Sequence, residues 1–390
     1  MVKITAFFMS IYFSVMALFG IPFTPNDLQP GDSTEITITQ EQAELFKEIF
    51  ETETQWLASL QLPNGAIPMT YSPNGELRVN PYFSDFAVLA LLDDAEKYSD
   101  VALKYMDWHF AHLNTAEEDF NKLDGTIYDY VVTMENGVIV DEKISVPADA
   151  DSYDSTDSYA ATFLRVVDKY TKKTGDATYI AEHAEDLERI ANVMCATLHN
   201  GLTFAKPNHR VKYLMDNCEV YEGAVAASEI FGVLADSNDS YKDTAEKYAN
   251  LAETVKEKIN TKLWNFVGGY YTAGMTYLQI PTSIFSWKTY YPCATAQLFP
   301  ITCGIIEPET DRAKSLYQKF CNSYNWEAFE YPDAFYWGHN VLAAAMMNDI
   351  DSVTTYMTNY KSLMETHSWP LYNADSARVA LAAYVMLEKI

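Results

Sequence analysis

The chain has 390 residues, 48% of them hydrophobic, and a formal net charge of −27 at pH 7. That hydrophobic share is ample for a core and argues against general disorder, while the length allows one large domain or two to three ordinary ones. The acidic balance argues against a nucleic-acid partner, which needs clustered Lys and Arg, and against electrostatic docking on anionic lipid.

Residues 1–23 open with Lys3 and continue as a nearly uncharged apolar run. They fit a signal peptide or an N-terminal membrane anchor, so the bulk is expected to be secreted, or extracellular and membrane-anchored. Residues 24–39, with Pro25, Pro30 and Gly31, read as a linker, and 40–390 as one catalytic domain. Thr39-Gln-Glu-Gln42 has the form of a capping box and predicts a helix over 40–61. A Pro/Gly/Asn loop over 62–81 carries Glu76. The next helix, 82–93, is apolar nearly all round, and a short turn separates it from a helix over 99–113. Strand-like runs follow at 126–133 and 138–146.

Four carboxylates then fall close together: Asp149, Asp151, Asp154 and Asp157. Behind them Tyr159, Ala160, Phe163, Leu164 and Val167 keep helical spacing, and Gly175 suits the left-handed stop. A polar-faced helix runs to 198, and a loop with another strand-like run spans 201–215. Asp216, Glu219 and Glu222 open an Ala-rich helix, and a charged helix covers 241–263. After a Gly/Tyr-rich loop come helices over 292–302, 307–323, 333–347, 351–366 and 374–388.

The helices form six pairs. In each, the first member has one charged face and the second is more uniformly apolar, so the second is expected inside and the first outside. Outer-to-inner connections are mostly long and inner-to-outer turns short, which gathers the long loops at one end. This pattern over 40–390 resembles the (α/α)6 toroid of the six-hairpin glycosidase superfamily. The resemblance implies an all-α barrel with short β-hairpins in its long loops. Ala148-Asp-Ala-Asp151 resembles the Ala-Thr-Asp-Gly-Asp stretch of glycoside hydrolase family 8. The residues after it depart from that pattern, and no residue role is carried over.

Inner-helix starts bring acids to the long-loop end: Asp85; Asp151, Asp154 and Asp157; Asp216, Glu219 and Glu222; Asp333; Asp375. Glycoside hydrolysis needs two carboxyl groups, one to protonate the leaving oxygen and one to activate water or attack carbon. Crowding and burial separate their proton affinities. Single acids here also serve as helix caps, but one cap per helix does not account for three acids on each of two helices. The residues expected to carry catalysis are Asp154, Asp157 and Asp216, then Glu76 and Glu219. The aromatic faces of Tyr82, Tyr153, Tyr213, Trp337 and Trp369 are expected to bind sugar, with Asp151, Glu222 and Asp333. His339 is a candidate base for a lyase or epimerase variant, and Arg210, Lys212 and Arg378 are the nearest cations. The five cysteines form no CxxC or Cys/His cluster, so no metal and no cofactor is expected. The expected protein is a monomeric glycoside hydrolase acting on a poly- or oligosaccharide. The alternatives are a lyase or epimerase on the same scaffold, or a non-catalytic glycan-binding protein.

Overall fold

Thr39 accepts a hydrogen bond from the Gln42 backbone, and the Gln42 side chain caps Thr39 in return. This reciprocal cap fixes the start of helix α1 (Gln40–Ser59), where the sequence pattern puts it. The structure is a computed structural model and describes residues 37–146, 152–332 and 336–390. The expected leader at 1–23, nearly all of the linker, the 148–151 stretch with Asp151, and Asp333 lie outside the described residues. No helix among the described residues is long and apolar enough to cross a membrane.

The fold is all-α with a few short strands. After α1 come β1 (Gly75–Val79), α2 (Pro81–Leu91), α3 (Ala95–Ala111), β2 (Tyr130–Glu135), β3 (Val138–Ile144) and α4 (Asp157–Thr174). The chain continues through α5 (Ala177–Glu182), α6 (Ala184–Cys195), β4 (Val211–Tyr213), α7 (Leu214–Ser237) and α8 (Lys242–Lys258). Then follow β5 (Trp264–Asn265), β6 (Tyr270–Tyr271), β7 (Gly274–Thr276), α9 (Phe299–Thr302), α10 (Asp311–Ser323), α11 (Gly338–Met346), α12 (Ile350–Met364) and α13 (Asn373–Leu387).

Helices α2, α4, α7, α9, α11 and α13 pack in succession, each on the next, and α13 packs back on α2. Most of them are apolar nearly all round, and α2 buries Phe86 through Leu91 without a break; α4 is the exception, with Arg165, Asp168, Lys169, Lys172 and Lys173 along its second half. Each such side chain contributes about 1.5–3 kcal/mol by leaving water. The others pack outside them: α1 on α13, α3 on α2 and α4, α6 on α4, α8 on α7, and α12 on α11. Their burial is one-sided; α8 hides only Tyr248, Leu251, Ala252 and Val255. At the closest approach Gly223 of α7 meets Ala161 of α4, where a Cβ would lie 2.6 Å from the Ala161 Cα.

Three local features differ from the sequence pattern. The loop over 62–81 contains β1, which pairs antiparallel with β2 and makes a three-stranded sheet with β3. The outer helix after Gly175 is broken at His183, whose ring stacks on Phe110 at 4.1 Å. The helix expected over 292–302 is α-helical only in α9. Tyr291 is extended (φ −106°, ψ 134°), as a residue before proline prefers, and Pro292 supplies no N–H. The Gln297 side chain takes over part of the missing ladder. It accepts from Tyr271 N at 2.7 Å and donates to the Tyr271 and Cys293 carbonyls, each at 2.9 Å.

Candidate active site

The starts of the six mutually packed helices surround a cavity of about 370 Å³. Asn80 caps α2 by accepting from Phe83 N at 3.0 Å, which sets Tyr82 and Phe83 on the cavity wall. Asp154 and Tyr159 reach it from the start of α4, and Asp216 and Glu219 from the first turns of α7. Tyr291, Phe299, Trp337, Trp369 and Arg378 complete the lining. Trp337 takes a left-handed conformation (φ 42°) one residue before α11, and its ring lies 5.2 Å from that of Tyr291. Trp369 is 62% exposed, a flat apolar face at the rim.

The polar groups are tuned by their enclosure. Tyr82 donates its hydroxyl to Glu219 Oε1 at 2.5 Å. Burial and the neighbouring Glu219 hold the Tyr82 hydroxyl well above its ordinary pKa, so it stays a donor. Burial pushes Glu219 up to about 8; the Tyr82 hydrogen bond pulls down, Asp216 pushes up, and Arg378 and Arg165 pull down. Asp216 is pushed up to about 7 by burial and by the Asp154 charge. Asp129, just ahead of β2, is also pushed up to about 7, chiefly by burial. It accepts from Tyr159 Oη at 3.0 Å and from Asn80 Nδ2 at 3.2 Å, and so braces two cavity residues from behind. Arg378 is 5% exposed and its guanidinium carbon lies over the Phe86 ring, 4.1 Å from the centroid.

Of the residues singled out from sequence, Asp154, Asp216, Glu219, Tyr82, Trp337 and Trp369 line this cavity. Five others lie elsewhere. Glu76 sits on the open face of β1 and pairs with Lys143 at 3.4 Å, because the strand turns it outward. Asp157 is fully buried one residue before the cavity-lining Ser158. Its Oδ2 accepts from Thr203 at 2.6 Å and its Oδ1 from Ser158 N at 2.9 Å, which ties α4 to the loop after α6. Tyr153 is buried against Phe120 and Tyr128, with its hydroxyl shared between Asn121 and Asp119. Tyr213 stands beside the site, its hydroxyl 3.0 Å from His209 Nε2. Glu222, a helical turn beyond Glu219, forms an ion pair with Arg165 at 3.0 Å on a separate cavity.

Other groups weighed from sequence also have structural partners. Asp85 accepts from Tyr105 at 2.8 Å and Thr162 at 2.7 Å, joining α2 to α3 and α4. Asp375 accepts from Gly338 N at 2.8 Å. His339 is buried, stacked on Phe299 at 4.0 Å, and burial holds its ring well below the ordinary imidazole value. The cysteines are free thiols. Sequence reasoning missed Asp129, Asn80 and Tyr159 as parts of the site. The Asn-Pro pair at 80–81, a cap followed by proline at N1, was the legible signal for Asn80.

No family model matches the chain, and no curated protein matches it. Solved structures do. A wild-type glycosidase superposes with a TM-score of 0.61 at 9% identity, covering 91% of this chain and 100% of its own. A D-mannose isomerase gives 0.53 at 12% identity, covering 91% and 100%. A rhamnosidase from Klebsiella oxytoca with rhamnose bound gives 0.53 at 12% identity, covering 92% of this chain and 66% of that one. At such identities the likeness is one of fold.

Proposed function

We propose that the chain is a glycoside hydrolase built on an (α/α)6 toroid, with its substrate held in the cavity at the inner-helix starts. The carrying observation is Glu219. It is enclosed, held by the 2.5 Å bond from Tyr82, and raised to about 8, so it keeps its proton at neutral pH. It shares the cavity with Asp154 and Asp216. In this reading Glu219 gives its proton to the leaving glycosidic oxygen. Asp154, the most exposed of the three, activates water or attacks the anomeric carbon. Asp216, raised to about 7 by burial and by the Asp154 charge, lies in the same cavity. Tyr82, Trp337 and Trp369 offer faces to the C–H side of a sugar ring.

The glycosidase and rhamnosidase neighbours support the reading at the level of the scaffold, which hosts more than one chemistry. The isomerase neighbour keeps sugar isomerisation in view, but His339 gives it no base in the cavity, since its ring is stacked behind Phe299. The test is reducing-end release from a broad oligosaccharide panel by the wild type and Glu219→Gln. Release that the substitution abolishes supports the assignment, and near-normal release by the variant overturns it. We also propose that residues 1–23 direct export, as signal or anchor. N-terminal sequencing of protein from the medium and the membrane fraction tests this, and an intact chain in the cytoplasm overturns it.

A further inference from the structure

Arg378 is the one cation lining the cavity among the described residues. It projects from the second turn of α13, and its Cβ packs under Gly338, 3.1 Å from where a Cβ on that glycine would sit. Phe86 lies under its guanidinium carbon. It makes no hydrogen bond and no ion pair with any described residue, and its Nε is buried without an acceptor. The neighbouring Trp337 Nε1 is a second buried donor without an acceptor. Tyr82, Tyr372, Asp375 and Glu219 favour its charge electrostatically, but five N–H donors in a rigid fork also need acceptors. Of the two carboxyl groups that act on it, Glu219 accepts from Tyr82 and Asp375 accepts from Gly338 N.

We propose that Arg378 recognises the carboxylate of a uronic acid residue, so that the sugar seated in the cavity is acidic. This rests on the cavity being the sugar site proposed above, and it adds the substrate class. A planar carboxylate fits the guanidinium fork with two parallel charge-assisted hydrogen bonds, which a neutral hydroxymethyl group at the same sugar carbon does not. The enclosure makes that difference large, because the pair forms away from water. The net charge of −27 repels an acidic sugar at long range, so its capture depends on this enclosed cation rather than on a basic surface. The aromatic walls serve neutral and acidic sugars alike, which leaves Arg378 as the group that discriminates.

The test is calorimetric binding of D-glucuronate and D-galacturonate against D-glucose and D-galactose, with the full chain and with Arg378→Met and Arg378→Lys. The inference expects at least one uronate to bind about tenfold or more tighter than its neutral counterpart. It expects Arg378→Met to erase the difference and Arg378→Lys to restore part of it. Equal affinities, tighter neutral sugars, no binding of either uronate, or a preference that survives Arg378→Met each overturn it. If Arg378→Met does not fold, the wild-type comparison alone decides. Uronate binding that depends on Arg378, without cleavage of any uronate glycoside, would remove the hydrolase reading and leave this one standing. Cleavage of neutral glycosides that Arg378→Met does not alter would do the reverse.

Discussion

The Tyr82 hydroxyl reaches across from α2 to Glu219 on α7 and donates to Oε1 at 2.5 Å. The bond leaves the second carboxyl oxygen of Glu219 to carry the proton. It also counts among the forces that pull Glu219 down against burial. The proton affinity of the proposed acid is therefore a balance, with a single hydroxyl as one of its weights.

Removing that hydroxyl with Tyr82→Phe should raise the pKa of Glu219 further above about 8. The alkaline limb of kcat/KM against pH reports the free enzyme's acid, so it should move to higher pH. A pH–rate profile checks this. A limb that stays in place or moves down would separate Glu219 from that limb.

Asp154→Asn should act on two groups. It removes the proposed base, for which the expected loss in kcat is roughly 10²–10⁴-fold. It also removes a charge that raises Asp216 and Asp129, so both should titrate below about 7. Carboxyl NMR shifts followed against pH read the second effect in folded protein, whatever the activity.

The raised carboxyls cost stability. For an acid whose folded pKa lies above its unfolded value, the folded state holds the proton longer. Between the two values the unfolded state binds fewer protons, so stability falls as pH rises. For Glu219 the window runs from 4.5 to about 8, and for Asp216 from 3.8 to about 7. Glu219→Gln and Asp216→Asn should each raise Tm at pH 8 by several degrees and by much less at pH 4, at the expense of turnover. Thermal unfolding at the two pH values checks the sign.

Helix pairing was legible because burial all round and burial on one face leave different residue patterns, and α2 and α8 are the clear cases. Phase was not. Successive helical residues point about 100° apart, so Asp157 faces Thr203 while Ser158 and Tyr159 face the cavity. Depth was not legible either. Glu219 and Glu222 share a helix face, but three residues advance about 4.5 Å, enough to put Glu222 beside Arg165. Glu76 was misplaced because 62–81 reads as a Pro/Gly/Asn loop; within it Glu76-Leu77-Arg78-Val79 alternates, and the strand buries Leu77 and Val79 and turns Glu76 out. Asp129 belongs to the site only through its contacts with Tyr159 and Asn80, which are distant in sequence.

Gly223→Ala should strain the α4–α7 contact. The added methyl would lie 2.6 Å from both the Cα and Cβ of Ala161, and 2.8 Å from Met194 Sδ. The sulfur can shift, but the Ala161 backbone cannot without moving α4. Overpacking of this kind costs about 1–3 kcal/mol, and because α4 carries Tyr159 to the cavity, KM should rise as well. Denaturant unfolding with an unchanged m-value and a lower midpoint is the expected result.

Glu222→Ala tests the other end of the same helices. Arg165 on α4 and Glu222 on α7 pair at 3.0 Å, with 22% and 20% of their side chains exposed. Removing one partner leaves the other charge enclosed without its counter-ion, a loss of 3–5 kcal/mol for fully buried pairs. The residual exposure lets water approach, so the expected loss here is smaller, about 2–3 kcal/mol. Replacing both residues, Arg165→Met with Glu222→Leu, removes both charges and should recover most of it. A double-mutant cycle in urea separates the pair from each residue's own packing. If the double substitution is no more stable than Glu222→Ala, the orphaned Arg165 charge is not the source of the loss.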